Sequence, residues 1–384
     1  MDFKVPQGFV FAGGHVGIKD VNDDIGIAVA DKVCSASAMF TKNHFCGECI
    51  PIGRQAVANH RLQGIIVTSG IANVATGEEG RRNELQLIDE LASLTHISPE
   101  NILPSSTGMI GPQLPVNTIL QGMPAIVDQL SPEHFMQFAK GIITTDSAIK
   151  IESRTVGEAT ILATAKGAGM IEPNMATMLV YIFTDAIVPD ANIDGMLHHS
   201  VNLSFNSMSI DTDTSTSDTV ALLSSGIHSV DLDEFQNALD DVCVSLCRQI
   251  VAGAEGAKHT IEVVVENCAT DEEAKRIGKS IINSPLVKTA IYGGDPNWGR
   301  IIMAIGKTPD INLDKGAIRI SIGEYPIFED GKEVTGNVEA IRQYLKSNNV
   351  ITITVDMNSG HERHRVFGCD LTEEYIRINS YYTT

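Results

Sequence analysis

Hydrophobic residues recur along this chain with two different periods. Runs of apolar, often β-branched residues lie between turn-forming residues, which is typical of buried strands. Elsewhere, apolar residues return every three or four positions, as in helices that bury one face. The pattern predicts strands over 64–69, 155–165, 178–183, 259–266, 318–322 and 351–356, and helices over 132–142, 191–203, 232–251, 271–282 and 338–345. Because the two kinds of element alternate, we expect an α/β or α+β fold.

A further helix is predicted to begin near Thr76. Thr76 and Glu79 stand three residues apart, which is the spacing of a capping box at a helix N-terminus. The apolar stripe expected on this helix consists of Leu85, Ile88, Leu91 and Leu94.

Length and composition limit the class of protein. The chain has 384 residues, 43% of them hydrophobic, which is enough for one large α/β body with a smaller lobe. It contains no run of about 18 apolar residues and no apolar signal segment after Met1, so we predict a cytoplasmic protein. The formal net charge of −20 argues against nucleic acid or an anionic membrane as a partner.

Candidate metal and cofactor motifs are weak. The seven cysteines are irregularly spaced, and the pair Cys46 and Cys49 lacks the second pair of a zinc site, so free thiols are expected. Asp211 and Asp213 begin a calcium-like loop, but Thr216 replaces its glycine and its twelfth position lacks glutamate. A polar turn that caps a helix over 214–217 is the favoured interpretation. The sequence also lacks both phosphate-binding glycine motifs, so neither a metal nor a cofactor is predicted.

The most informative stretch is KGAGMIEPNMATML, residues 166–179. A glycine-containing turn ends on Thr177, and an apolar strand follows it. A threonine hydroxyl is a poor nucleophile unless a base lies close to it. Cleavage of the chain before Thr177 would free an α-amino group with an ordinary pKa of about 7.7–8.0, a suitable general base next to the hydroxyl.

This stretch resembles the self-processing site of the ornithine acetyltransferase family, the bifunctional glutamate N-acetyltransferases. The resemblance covers nearly the whole chain. It includes STGMIG (106–111), TTD (144–146), SFN (204–206), DTDTST (211–216), DPNWGR (295–300), GCDLT (368–372), RINS (377–380) and the terminal TT. Many matches in this order are specific, whereas a single Ala-Thr-Met would mean nothing.

The resemblance implies a fold and an assembly. The fold would be a four-layer αββα sandwich related to N-terminal-nucleophile folds, with a smaller C-terminal α/β lobe over about 265–384. Self-cleavage between Ala176 and Thr177 would give chains 1–176 and 177–384, which remain together as a heterotetramer of two copies of each.

The resemblance also implies a reaction. Thr177 would take acetyl from N2-acetyl-L-ornithine and pass it to L-glutamate by a ping-pong mechanism in arginine biosynthesis, while Thr107 and Gly108 stabilise the oxyanion. Some family members also acetylate glutamate with acetyl-CoA, and the sequence does not decide this second activity. The residues implied to bind substrate are Thr144, Lys166, Thr177, Glu255, Asn379 and Thr384.

Some positions depart from the family pattern. Thr68 and Ile71 replace two asparagines of the common Asn-Ser-Gly-Asn-Ala-Asn motif, which brings the chain closer to the paralogue of clavulanic-acid gene clusters and leaves the acyl acceptor open. A self-processed aminopeptidase or amidase that passes the acyl group from Thr177 to water is one alternative. An acidic binding protein without catalytic activity is the other.

Overall fold

A computed structural model describes residues 3–172, 178–311 and 313–381, and it confirms a mixed α/β fold. The strands are β1 (Phe9–Gly14), β2 (Ile25–Phe40), β3 (Arg61–Ile71), β4 (Ile102–Met109), β5 (Lys150–Val156), β6 (Ala159–Lys166), β7 (Leu179–Ala186), β8 (Met208–Ser209), β9 (Thr219–His228), β10 (Thr260–Cys268), β11 (Arg319–Ile322), β12 (Tyr325–Glu329), β13 (Lys332–Glu333), β14 (Val350–Asp356) and β15 (Glu362–Cys369).

The helices cover both the sandwich and the lobe. They are α1 (Cys49–Ala56), α2 (Gly77–Thr95), α3 (Val116–Val127), α4 (Phe135–Gly141), α5 (Asp190–Leu203), α6 (Leu232–Ala252), α7 (Asp271–Ile282), α8 (Pro285–Tyr292), α9 (Trp298–Gly306), α10 (Val338–Ser347) and α11 (Glu373–Tyr381).

The long strand β2 joins the two β layers of the sandwich. The first sheet has the order β4-β3-β2-β9-β7-β6-β5, with β1 also paired to β2. The first part of β2 pairs with β3 and the last part, 35–40, pairs with β9, with a register shift between Val29 and Cys34. The two β layers are therefore halves of one hydrogen-bonded sheet that folds over at β2.

Aromatic side chains fill the space between these two halves. Phe9 and Phe11 from β1 contact Phe183 from β7 edge to face, with ring centroids 5.3 and 5.0 Å apart, and Phe135 and Phe138 from α4 join them. Helices α2 and α3 cover the outer face of one half, and α5 and α6 cover the other. This arrangement confirms the predicted four-layer αββα sandwich.

A seven-stranded sheet, in the order β13-β12-β11-β14-β10-β15-β8, forms the C-terminal α/β lobe. Helices α7 to α10 contribute to its own apolar core. The lobe joins the sandwich through α6, whose core cluster includes Phe367 and Cys369 of β15. Strand β8 also comes from the sandwich half of the chain and pairs with β15.

Three local predictions were wrong. Thr76 begins α2 without a side-chain cap, since its hydroxyl donates to Asn73 Oδ1 instead of to the helix. Leu85 is 39% exposed, because the buried face of α2 carries Glu84 and Leu87. The turn over 214–217 caps no helix and leads into β9 instead.

Candidate functional site

A cavity of about 230 Å³ lies where the first sheet, the turn after β6 and the C-terminal helix meet. The residues that line it include every predicted site residue that the structure describes. These are Thr107, Gly108, Thr144, Lys166, Glu255 and Asn379. Sequence positions separated by more than 250 residues are thus brought to one small space.

Thr107 and Gly108 lie at the end of β4, against β3. The parallel ladder pairs Ser69 with Thr107 and Gly70 with Gly108. Gly108 has φ +129°, and a Cβ there would lie 2.2 Å from the carbonyl carbon of Gly70, so the two strands can approach this closely only without a side chain. Thr107 lines the cavity and is 6% exposed, and its hydroxyl has no hydrogen-bond partner within the described ranges.

Lys166 ends β6 beside a buried ion pair. Lys150 pairs with Asp146, which also accepts a hydrogen bond of 2.7 Å from the Gly167 backbone N–H. Burial lowers the pKa of Lys166, against the opposing effect of Asp146 and Asp218. Burial alone would raise the pKa of Asp146, but Lys150 and Lys166 lower it below its ordinary value. A cation thus faces the cavity next to an acid whose charge is already compensated.

Thr144 also depends on Asp146, because its backbone N–H donates to that carboxylate at 3.3 Å. The segment that carries Thr144 and Thr145 is therefore held in place by the same Lys150–Asp146 ion pair that lies beside Lys166. One buried carboxylate fixes both sides of this part of the cavity wall.

The acidic loop after β8 forms the opposite wall. The Asp211 carboxylate accepts hydrogen bonds of 2.7 Å from the backbone N–H groups of Met170 and Ile171, and Tyr375 donates to it at 3.3 Å. Asp211 therefore holds the glycine turn that precedes Thr177. The loop is part of the cavity wall, whereas its sequence had indicated only a polar turn that caps a helix.

The C-terminal helix α11 closes the cavity. Asn379 Nδ2 donates to the Glu255 carboxylate at 3.0 Å, and the Glu255 backbone N–H donates to Ala168 O in the glycine turn at 2.9 Å. The tail thus reaches the cavity as an ordered helix. Tyr381, at the end of this helix, is 87% exposed and does not pack against the protein.

Ala176, Thr177 and Thr384 lie outside the described residues, and their predicted roles stay predictions. The chain on each side of 173–177 is well fixed. Glu172 accepts hydrogen bonds from Ser209 Oγ at 2.8 Å and from Asn283 Nδ2. On the other side, Met178 and Leu179 line the cavity, and the Met178 carbonyl accepts from the Thr219 N–H at 2.9 Å.

One acid of the cavity was not expected from the sequence. Asp218 precedes β9, is 2% exposed, and has one carboxylate oxygen without a hydrogen-bond partner among the described residues. Burial raises its pKa well above the ordinary value, while nearby Lys166 opposes that shift. Its position along the chain gave no signal, because burial next to a lysine is a property of the tertiary structure.

A Ser-His-Asp arrangement lies outside the cavity. Ser207 Oγ is 2.7 Å from His364 Nε2, and His364 Nδ1 is 2.7 Å from Asp271. The Ser207 side chain is fully buried, and its hydroxyl also donates to Asn202 O at 2.6 Å. No substrate can reach this serine, so the arrangement joins β15 to α7 and is not a nucleophile site.

The departures at Thr68 and Ile71 do not change the lining of the cavity. Thr68 is buried and its hydroxyl lies 2.9 Å from Ser106 Oγ, and Ile71 packs in the core beneath α2 and α3. Neither residue is among those that line the cavity, whereas Ala72 is.

Within the described ranges, no group of three or more histidine, cysteine or acidic residues is arranged to hold a metal ion. All seven cysteines are free. The helices of the described part include none with the length and apolarity needed to cross a membrane.

An αββα sandwich with a hydroxyl, a glycine N–H and a lysine around one cavity is typical of an enzyme that transfers acyl groups. The ArgJ family model matches residues 10–384, and the chain belongs to the ArgJ family. It is therefore an acyltransferase of arginine biosynthesis, and the interpretation as a non-enzymatic binding protein was wrong.

Relatives match over almost their whole length. The arginine biosynthesis bifunctional protein ArgJ 2 of Clostridium acetobutylicum is 48% identical over 384 residues, covering 100% of this chain and 99% of the relative. The glutamate N-acetyltransferase Oat2 of Streptomyces clavuligerus is 39% identical, covering 99% and 98%. A solved ArgJ chain from Bacillus halodurans is 37% identical with a TM-score of 0.52, covering 54% of this chain and 100% of its own length.

Proposed function

We propose that this enzyme moves acetyl from N2-acetyl-L-ornithine to L-glutamate through an acetyl-Thr177 intermediate. The observation that carries the proposal is the cavity, which brings Thr107, Gly108, Lys166 and Glu255 together with Met178 and Leu179, the two residues that follow Thr177. The name of the Streptomyces clavuligerus relative, a glutamate N-acetyltransferase, supports glutamate as the acceptor.

Maturation would come first. The Thr177 hydroxyl attacks the Ala176 carbonyl carbon, the peptide C–N bond breaks, and an ester links the two residues. Water then hydrolyses the ester, which leaves a carboxylate on Ala176 and a free amine and hydroxyl on Thr177.

The transfer then takes place in two steps. The Thr177 amine accepts the hydroxyl proton, the oxygen attacks the acetyl carbonyl carbon, and the C–N bond to the donor breaks as that proton passes to the leaving nitrogen. The glutamate amine next attacks the acetyl ester, which forms N-acetylglutamate and restores the hydroxyl. In both steps the Thr107 hydroxyl and the Gly108 N–H would donate to the oxyanion.

Charge distribution supports an amino-acid substrate. Lys166 would bind a substrate carboxylate as a point charge, and Thr144 would add a hydrogen bond beside it. Glu255, held by Asn379, would accept the ammonium group of ornithine. The terminal Thr384 would complete the pocket from the same tail.

Denaturing mass spectrometry of the purified protein tests maturation. Two fragments that join at Ala176 and Thr177 are expected, and Thr177→Ala should give one intact chain without transfer activity. Thr177→Ser is the matched variant, since it retains both hydroxyl and amine and should be cleaved. An intact wild-type chain that still transfers acetyl would contradict the mechanism.

The acceptor separates transfer from hydrolysis. Acetate release from N2-acetylornithine should be slow without glutamate, and N-acetylglutamate should form when glutamate is added. Release of acetate at the same rate without glutamate would instead indicate an amidase.

N-acetylglutamate formation from acetyl-CoA tests the second activity that the word bifunctional in the relatives' names suggests. Native mass spectrometry tests the proposed heterotetramer of two copies of each chain.

A further inference from the structure

A buried carboxylate lies directly behind the Thr107–Gly108 pair. Glu84 points inward from α2 and is 1% exposed. Its Oε2 accepts a hydrogen bond of 2.7 Å from Asn73 Nδ2, and Ser106 Oγ lies 3.3 and 3.2 Å from its two oxygens. Glu84 forms no ion pair with any cation in the described part of the chain. A buried acid that makes hydrogen bonds but has no countercharge is costly when ionised.

Both hydrogen-bond partners of Glu84 are next in sequence to residues that line the cavity. Ser106 directly precedes Thr107 on β4. Asn73 follows Ala72, whose N–H donates to Met109 O at 2.8 Å and which itself lines the cavity. A movement of the Glu84 side chain would therefore displace both β3 and β4, the strands that bring Gly70 and Gly108 close together.

The hydrogen bonds in this cluster can run in either direction. Ser106 Oγ lies between Glu84 and the Thr68 hydroxyl, 2.9 Å away. With Glu84 ionised, Ser106 must donate to it and Thr68 must donate to Ser106. With Glu84 protonated, its O–H donates to Ser106, which is then free to donate to Thr68. One proton thus reverses the hydrogen-bond chain next to Thr107.

We propose that Glu84 is a positioning residue for the Thr107–Gly108 pair, and that its neutral form supports acyl transfer better than its ionised form. The inference rests on the proposed oxyanion role of that pair. A buried negative charge in contact with Ser106, the residue before Thr107, opposes the negative charge that develops on the reacting carbonyl oxygen, whereas the neutral acid does not.

Both the protonated and the ionised form of Glu84 are populated near neutral pH. Burial raises the pKa of Glu84 to about 7, although the hydrogen bonds from Asn73 and Ser106 oppose the shift. The other titratable groups that face it are Glu48, which also raises its pKa, and Cys49 of α1, whose own pKa is raised well above the ordinary value by burial. The charge of Glu84 should therefore change between about pH 6 and 8.

The test is the ratio of kcat for Glu84→Gln to kcat for the wild type, measured from about pH 5.5 to 9. Titration of the Thr177 amine affects both enzymes and cancels in this ratio. We expect a ratio near one at the acid end that rises on the order of tenfold through about pH 7, with KM unchanged. Glu79→Gln is the matched control, because Glu79 lies exposed on the same helix and should give a flat ratio.

A flat ratio for Glu84→Gln would overturn the inference. If that variant does not fold, Ser106→Ala takes its place, with a several-fold loss of kcat at unchanged KM expected and a wild-type kcat counting against the proposal. Thr107→Val separates this inference from the proposed function. If Thr107→Val is impaired but the Glu84 ratio is flat, only the role of Glu84 fails. If Thr107→Val has wild-type kcat, the oxyanion pair fails and the Glu84 proposal fails with it.

Discussion

Gly108→Ala is the most direct perturbation of the proposed oxyanion pair. Gly108 has φ +129°, where any other residue is strained by about 1–3 kcal/mol. The added Cβ would also lie 2.2 Å from the carbonyl carbon of Gly70 and 2.4 Å from its oxygen. Normal carbon contacts are about 3.5–4.0 Å, so β3 and β4 must separate by about 1 Å at this point.

A displacement of this size is enough to disturb catalysis. A misplacement of about 1 Å can reduce a rate about 100-fold, and the loss of one oxyanion donor costs about 100- to 1,000-fold in kcat. We expect Gly108→Ala to reduce kcat by at least about 100-fold while KM changes little, since the oxyanion donors act mainly in the transition state. Steady-state kinetics with N2-acetylornithine and glutamate measure both values.

Gly111→Ala is the matched control. Gly111 also has positive φ, +109°, but its added Cβ would meet no atom within 4 Å. It should lose stability from backbone strain alone, by about 1–3 kcal/mol, and keep its kcat. Gly108→Ala with wild-type kcat, or an equal loss of kcat in both variants, would refute the argument that the close approach to Gly70 places the donors.

Three further predictions concern the stability of the folded protein. Lys150→Met removes the ion-pair partner of the buried Asp146 carboxylate and should lower the free energy of unfolding by about 3–5 kcal/mol in denaturant titrations. The double variant with Asp146→Asn should recover part of this loss, and no recovery would show that the ion pair is not the cause. Because the folded pKa of Glu84, about 7, exceeds its ordinary 4.5, its stabilising contribution is complete below pH 4.5 and is lost as pH rises through 7. Relative to Glu84→Gln, the wild type should lose about 3 kcal/mol over this window, and parallel stability curves would contradict the shift. Ser207→Ala breaks the contact with His364 and should cost about 1–3 kcal/mol without changing kcat. A folded Ser207→Ala protein without acyl transfer would show that this buried serine matters for catalysis.

Local patterns predicted about half of the helices and strands, and they missed the long strand β2. The helix predicted over 271–282 has the same bounds as α7, and the prediction over 232–251 differs from α6 by one residue. Both helices have an apolar face with a regular period, and Thr270 and Asp231 cap them with side-chain hydrogen bonds. The capping prediction at Thr76 failed because its hydroxyl donates to Asn73, three residues earlier, instead of to the helix.

About half of the elements, the glycine turn before Thr177 and the residues expected around one cavity could be predicted from the sequence. Those features depend on neighbouring residues or on motifs that can be matched in order. The tertiary structure alone decided that β2 folds one sheet into two layers, that Asn379 meets Glu255 across 124 residues, and that Glu84 lies uncompensated behind Thr107. Burial and electrostatic environment arise from segments that are distant in sequence, and so the charge state of an acid such as Glu84 cannot be predicted from its neighbours along the chain.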